Sequence, residues 1–256
     1  MTVDVIRADA LGAVAHGFLG RAGGVSGGEL AGLNVGYGSG DEREAIAENR
    51  RRAVAAVLPG AELATVHQVH SAVCVEARLA WPQDARPHAD AMVTATPGLL
   101  LGILTADCAP VLLADRRGAV IGAAHAGWRG ALAGVTDATI AAMEGLGARR
   151  ENIAAAVGPC IAQGSYEVDE AFRTRFLDED GDNARFFTVG PAGKPRFDLP
   201  DYVAHRLVAA GVGTIATLGL DTYADAARFF SFRRATHAGE PDYGRQLSVI
   251  GISAGP

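Results

Sequence analysis

Cysteine is scarce: Cys74, Cys108 and Cys160 are the three in a chain of 256 residues, at wide and irregular spacing. An odd set spread this way does not build a disulfide framework, so reduced thiols are expected. Long apolar runs are missing as well; nothing reaches the roughly 18 consecutive apolar residues that span a bilayer. The first ten residues carry an acid at Asp4 and no cationic flank before an apolar stretch, which sets the expectation of a cytoplasmic protein. Positive charge is not in excess, because 23 Lys and Arg stand against 29 Asp and Glu for a net charge of -6 with the signs interspersed. That balance offers no footprint for tracking a nucleic-acid backbone or an anionic membrane, so neither is expected as a partner. No segment repeats at a solenoid interval and the 33 glycines are not periodic, so they read as turns and close backbone approaches. Histidine is sparse too: seven residues, none in a His-X-His pair.

What is present is enough apolar material, 49% of the chain, for one sizeable core, and a single catalytic domain over residues 1–256 is expected. A glycine-rich stretch over residues 20–41 reads as a long functional loop. Asp41 then looks like a helix N-cap, with Glu44 placed to complete a capping box, and the helix runs to the stop at Pro59-Gly60. Residues 63–125 read as short strands rich in Val, Ile and Leu. Beyond them come a helix over 131–146, a strand over 153–157, helices over 169–177 and 199–210, and a closing strand over 247–252. This mixture predicts a layered α and β domain with mixed sheets.

The most informative segment runs from Thr105-Ala106-Asp107-Cys108 through a strand, a turn and a second strand to His125-Ala126-Gly127-Trp128-Arg129-Gly130. The midpoint of Cys108 and His125 falls between Arg116 and Arg117, so a symmetric hairpin puts thiol and imidazole opposite each other. Arg-Arg is poor chemistry for a two-residue turn, and a bulge at Gly118 shifts the register by a residue. A Cys and a His brought together fit a metal site, a Cys-His nucleophile pair in a metal-free hydrolase, or ordinary core packing. His67-Gln68-Val69-His70 can deliver a further imidazole to the same rim, although residues three apart on a strand face opposite sides and spacing does not choose between them. Two nitrogens and one thiolate make a borderline-soft site suited to zinc, with a fourth position left for catalysis. A non-catalytic zinc-binding module would need a fourth protein ligand, and the sequence offers no obvious one. Arg129, at the start of a helix, can reach a phosphate, and Arg233-Arg234 after Phe229-Phe230-Ser231-Phe232 form a second candidate anion contact. Cys74, within an apolar strand, reads as a small buried core residue, and Cys160 as a buried structural thiol in preference to a nucleophile near the same rim.

These segments resemble one family, first described as multicopper polyphenol oxidases (laccase-like) and later understood as zinc-dependent purine nucleoside phosphorylases. The resemblance rests on Arg21-Ala22-Gly23-Gly24-Val25-Ser26, Leu33-Asn34-Val35-Gly36, Asn49-Arg50, Gln68-Val69-His70, Ala106-Asp107-Cys108-Ala109-Pro110, His125-Ala126-Gly127-Trp128-Arg129-Gly130 and Phe230-Ser231-Phe232-Arg233-Arg234, in that order along nearly the whole chain. It implies an α+β fold, a four-layer α/β/β/α sandwich with mixed sheets, and zinc on His70, Cys108 and His125. It further implies phosphorolysis of adenosine, inosine, guanosine or S-methyl-5'-thioadenosine with phosphate as co-substrate, and adenosine deamination at the same centre. Asp107 is the expected proton carrier, and Asn34, Arg129 and Arg233 are the expected substrate contacts. Copper and phenol oxidation are the alternative, strained because a blue site plus a trinuclear cluster consumes more imidazoles than this chain supplies. The chain departs from the pattern at Asp221, where a cysteine often stands, at Phe232 in place of tyrosine, and at residues 235–243, an apparent insertion.

Overall fold

Leu99-Leu100-Leu101-Gly102-Ile103 and Val111-Leu112-Leu113-Ala114 are apolar runs without polar alternation, the mark of strands covered on both faces. Each sits inside its own sheet in the structure, a computed structural model that describes residues 2–117 and 119–254. The elements begin with β1 (Val5–Ile6), β2 (Ala15–Leu19), α1 (Arg43–Val57) and β3 (Glu62–Thr65). Next come β4 (Cys74–Glu76), β5 (Ala91–Thr94), β6 (Leu99–Thr105), β7 (Ala109–Asp115), β8 (Ile121–Ala126), α2 (Trp128–Ala133), α3 (Val135–Gly145) and β9 (Ile153–Val157). The chain continues through α4 (Glu170–Glu179), β10 (Phe187–Val189), β11 (Pro195–Phe197), α5 (Leu199–Ala209), β12 (Thr214–Thr217), α6 (Phe232–Ala238) and β13 (Gln246–Gly251).

The first sheet has the order β1-β2-β13-β6-β3 and the second β12-β9-β7-β8-β5-β4, while β10 and β11 form a small separate hairpin. Both larger sheets are mixed: β3 runs parallel to β6, β12 to β9 and β4 to β5, and the remaining pairs are antiparallel. Side-chain alternation sorts them into layers. Leu101, Ile103 and Ile250 of the first sheet share one core with Leu112, Ala114 and Ala156 of the second. On the outer side of the first sheet, Leu100 and Val249 meet Ala53 and Val57 of α1. On the outer side of the second, Val111, Leu113 and Val157 meet Ile140 and Met143 of α3, Phe172 and Phe176 of α4 and Val203 of α5. The result is a four-layer α/β/β/α sandwich, and each fully buried Leu, Val or Phe stabilises it by about 1.5–3 kcal/mol.

Three local expectations change. The helix over residues 131–146 is two helices, because Gly134 takes φ 91°, a left-handed conformation open to glycine, and ends α2. The capping box at Asp41 and Glu44 does not form: Glu42 is the N-cap of α1, and no side chain caps it. Asp41 instead accepts hydrogen bonds from Ser26 Oγ and Asn34 Nδ2. The same glycine loop is clamped to α1 by the buried Asn49, which accepts from Val25 N and donates to Ser26 Oγ and Asn34 O. Cys74 is half-buried against the outer core rather than fully inside it.

Candidate metal centre

β7 and β8 pair with Pro110 opposite His125 and Ala109 opposite Ala126. The turn is therefore centred one residue beyond the symmetric count, and Cys108 lies just outside the ladder; Gly118, the expected bulge, lies outside the described residues. The displacement does not separate the pair. One ligand atom each from His70, Cys108 and His125 lie within 4.8 Å of one another, a group that could hold a metal ion. Cys108 Sγ is 4.0 Å from His70 Nε2, and the two imidazole centroids are 4.8 Å apart, nearly edge to face.

The backbone bends to present these groups. His70 has φ 61° and the neighbour of Cys108, Asp107, has φ 84°, both uncommon for residues with a Cβ and both at the rim where function is sited. His70 is therefore not on a strand, and the alternation argument that left His67 and His70 level does not apply to it. His67 stacks instead on His88, with centroids 4.5 Å apart.

Asp90 holds the arrangement together. Its fully buried carboxylate accepts from His70 N at 2.9 Å, Ser71 N at 2.6 Å, Ser71 Oγ at 2.8 Å, Val69 N at 3.2 Å and His125 Nδ1 at 2.9 Å. Five donors outweigh the cost of burying the charge and keep the carboxyl well below the usual range. By accepting a hydrogen bond from Nδ1–H, Asp90 keeps that proton on Nδ1 and leaves His125 Nε2 as the atom that would face a metal. Nothing in the sequence singled Asp90 out: it is one acid ahead of an apolar strand, and its partners are 19 to 35 residues away.

Burial pushes the Cys108 thiol up, but the His125 and His70 rings beside it outweigh burial and bring it down to about 6. His125 moves the opposite way: burial lowers it, and Cys108 and Asp90 together raise it to about 9. Without a metal the two form a thiolate–imidazolium pair; with one, the thiolate is already the ligand form. Gly127 leaves the ligand side chains their room, since a Cβ there would stand 2.9 Å from Cys108 Sγ and 3.1 Å from His70 Cδ2. Cys160 and Cys74 differ, as burial raises the first strongly and the second to about 12.

Two cavities meet at this trio. One of about 280 Å³ is walled by Trp128, Tyr166 and Phe232 and contains Arg129, Arg233 and Asp107. The other, of about 300 Å³, lies under the glycine loop. His70, Ala106 and Cys108 line both. Arg129 is exposed and its guanidinium lies 5.1 Å from the Trp128 ring centroid. Arg233 Nη1 donates to Glu167 O at 2.7 Å. Arg234 is spent on the carbonyls of Thr222, Tyr223 and Phe229, so it is not an anion contact. Asp107 accepts from Thr222 Oγ1 at 2.7 Å, Ser231 Oγ at 2.9 Å and Arg233 N at 2.7 Å. Burial raises its carboxyl against those three donors. Asn34 is fully buried in the loop and lines neither cavity. Asp221 ties loops together by accepting from Ala162 N, Ser165 Oγ and Tyr223 N. Phe232, half exposed, packs against Tyr243, which residues 235–243 bring back to the glycine-loop cavity.

Fold and site together define the class, an α/β/β/α protein with a two-histidine, one-cysteine group that could hold a metal ion at a cavity junction. Within it, the chain belongs to the family described as multi-copper polyphenol oxidoreductase laccase, whose model matches residues 15–253. It is similar to a protein of Deinococcus radiodurans named purine nucleoside phosphorylase, at 43% identity over 248 residues, covering 94% of this chain and 90% of that one. A Rickettsia conorii protein named purine nucleoside phosphorylase RC0672 is 36% identical over 206 residues, 80% of this chain and 84% of its own. Among solved structures, the Neisseria meningitidis protein NMB0706 superposes with a TM-score of 0.88 at 33% identity, covering 99% of this chain and 100% of that one. These relatives support an enzyme of this kind. Among the described residues no helix is long and apolar enough to cross a membrane.

Proposed function

We propose that this protein is a zinc-dependent purine nucleoside phosphorylase acting on adenosine, inosine, guanosine or S-methyl-5'-thioadenosine. The observation that carries the proposal is the convergence of His70, Cys108 and His125 within 4.8 Å at the junction of two cavities. Three protein donors leave a coordination position for substrate, and two imidazoles with a thiolate suit zinc. When bound, zinc supplies a Lewis acid that polarises a substrate oxygen or nitrogen. The relatives named purine nucleoside phosphorylase support the reaction class.

The remaining work falls to side chains. Trp128, Tyr166 and Phe232 give a purine flat apolar walls to stack on, and their cavity of about 280 Å³ admits one nucleoside. Arg129 and Arg233 contact the substrate there. Asp107 supports this wall: the three hydrogen bonds it accepts fix Thr222, Ser231 and the start of α6 beside Cys108. In the reaction an oxygen of hydrogen phosphate bonds to the ribose anomeric carbon, the bond to the purine nitrogen breaks, and the base leaves with the electron pair and takes up the proton that the phosphate gives up. Adenosine deamination at the same centre would release ammonia and is read in the same experiment.

Purified protein of measured metal content is incubated with each nucleoside and phosphate, and base, ribose 1-phosphate and ammonia are quantified. The expected result is base and ribose 1-phosphate in equal amounts (5-methylthioribose 1-phosphate from S-methyl-5'-thioadenosine), lost on chelation and restored by zinc. Absence of all three products with every purine nucleoside overturns the reading, and ammonia alone replaces phosphorolysis by deamination.

A further inference from the structure

Among the described residues, four buried side-chain polar atoms have no hydrogen-bond partner, and two of them, Arg50 Nη2 and Thr105 Oγ1, belong to residues lining the glycine-loop cavity. Buried donors are ordinarily satisfied, so two orphans on one cavity call for an acceptor that enters from outside. Arg86 and Arg245 line the same cavity, and no Asp or Glu does. In a chain with 29 acids and 23 bases, three guanidiniums without a carboxylate are a concentrated positive field.

The guanidiniums are fixed in place before any ligand arrives. Arg50 Nε donates to Val35 O at 2.9 Å, Arg86 Nε to Gln83 O at 2.9 Å and Arg245 Nη1 to Tyr243 O at 3.3 Å. Arg50 lies 4.5 Å from the Tyr37 ring centroid and Arg245 lies 4.3 Å from that of Tyr243. Arg86 Nη1 also donates to Val66 O at 3.3 Å, and these contacts leave further N–H groups on each fork free. Burial lowers Arg50 only to about 10, so it stays charged at neutral pH. Gly36 admits the Arg245 side chain, since a Cβ there would stand 2.8 Å from Arg245 Cδ.

We propose that this cavity is an oxyanion site that takes phosphate on Arg50, Arg86, Arg245 and Thr105, across the metal trio from the Trp128 and Arg129 cavity. The proposal deepens the phosphorolysis reading and rests on it for the choice of anion. Planar guanidiniums bind phosphate through paired N–H groups, and the Thr105 hydroxyl adds a donor from the cavity wall. The cavity of about 300 Å³ is larger than one phosphate needs, so the phosphate can be free or part of a monoester such as a nucleotide. Arg129, exposed on the other side, is then a substrate contact and not the phosphate anchor.

The test is calorimetric titration of the full zinc-loaded chain with inorganic phosphate, with inosine 5'-monophosphate and with inosine, for wild type, Arg245→Gln, Thr105→Val and Arg129→Gln. Losing one charge-assisted contact is expected to weaken phosphate binding about tenfold or more in Arg245→Gln, with inosine binding unchanged. Thr105→Val replaces an unpartnered hydroxyl by a methyl, so it should weaken phosphate without lowering the melting temperature, a split that a purely structural role would not produce. Loss of inorganic phosphate in these variants assigns the site to free phosphate, and loss confined to the monophosphate assigns it to a monoester. Wild-type protein that binds neither anion overturns the proposal, as does unchanged binding of both in Arg245→Gln and Thr105→Val, or loss only in Arg129→Gln. Phosphate bound at this cavity by a protein that turns over no nucleoside would leave the site standing while the phosphorylase reading fell.

Discussion

Asp90→Asn replaces one oxygen of the buried carboxylate by an NH2 group and tests whether Asp90 sets the chemistry of His125. Oδ2 receives three donors, Val69 N, Ser71 N and Ser71 Oγ, while Oδ1 receives His70 N and His125 Nδ1. The amide will therefore keep its oxygen at the Oδ2 position and turn its nitrogen toward His70 N and His125. An NH2 group cannot accept from Nδ1–H, so His125 moves its proton to Nε2 and offers Nδ1 as acceptor. The metal-facing nitrogen then carries a hydrogen and has no lone pair to give. Losing a carboxylate partner behind a ligating histidine costs about 10–100-fold in metal affinity, or about 1.4–2.8 kcal/mol. The size of the side chain is unchanged, so the fold should survive. Zinc affinity is measured by competition with a chromophoric chelator, alongside circular dichroism for fold. Folded Asp90→Asn that binds zinc within about twofold of wild type would show that Asp90 does not set the tautomer, since even the low end of the expected loss is tenfold.

Gly127→Ala puts a methyl 2.9 Å from Cys108 Sγ and 3.1 Å from His70 Cδ2; the expected outcome is destabilisation by about 1–3 kcal/mol and metal content well below one ion per chain, read by denaturant melts and elemental analysis. In metal-free protein, alkylation of Cys108 should keep its rate down to pH about 6 instead of falling tenfold per unit below the ordinary thiol value of 9.0, and zinc should block it. The sign follows from the shifts. The lowered thiol contributes stability that is full above pH 9.0 and lost as pH falls through about 6, and the raised His125 contributes stability that is full below 6.5 and lost as pH rises through about 9. Between 6.5 and 9 the thiol's gain offsets the histidine's loss, so metal-free protein should melt at a nearly constant temperature across that range and lose stability only as pH falls from 6.5 through about 6; a melting temperature that changes steadily between pH 6.5 and 9 would refute the pairing. Asn34→Ala removes the acceptor of Gly36 N and Arg245 N and the donor to Ser39 and Asp41, which should cost about 1–3 kcal/mol and raise KM for phosphate more than for nucleoside.

The strands, the mixed layers and the Cys108–His125 encounter were legible because each depends on local pattern: apolar runs, turn residues and pairing across one hairpin. Choosing His70 over His67 was not legible from spacing, because the decisive feature is a positive φ at His70, imposed by a carboxylate 20 residues further on. Helix ends failed where a side chain had a better partner. Asp41 satisfies two donors of the glycine loop and so does not cap α1. Arg50, Arg86 and Arg245 come from three distant segments, and only the fold shows that they share a cavity without a carboxylate.

The family description and the names of the relatives point to different chemistries, and the positions of the histidines bear on the difference. Two imidazoles and one thiolate are a donor set that copper also accepts, so the trio alone does not separate the metals. The other histidines do. His16 is buried on Ala8 N and Val14 O, His67 is stacked on His88, His205 meets Arg185, and His237 meets the Tyr223 hydroxyl. None is gathered with others into a second cluster, and among the described residues the trio is the one group of three His, Cys, Asp or Glu side chains close enough to share an ion. Reducing dioxygen to water takes four electrons, which multicopper oxidases store on several ions. On the reading proposed above, a single site that opens on one side to an aromatic cavity and on the other to three arginines would hold an organic ligand and an anion against one metal. Polar bond exchange needs nothing more, whereas four-electron chemistry calls for further clusters, and among the described residues the trio is the one such group.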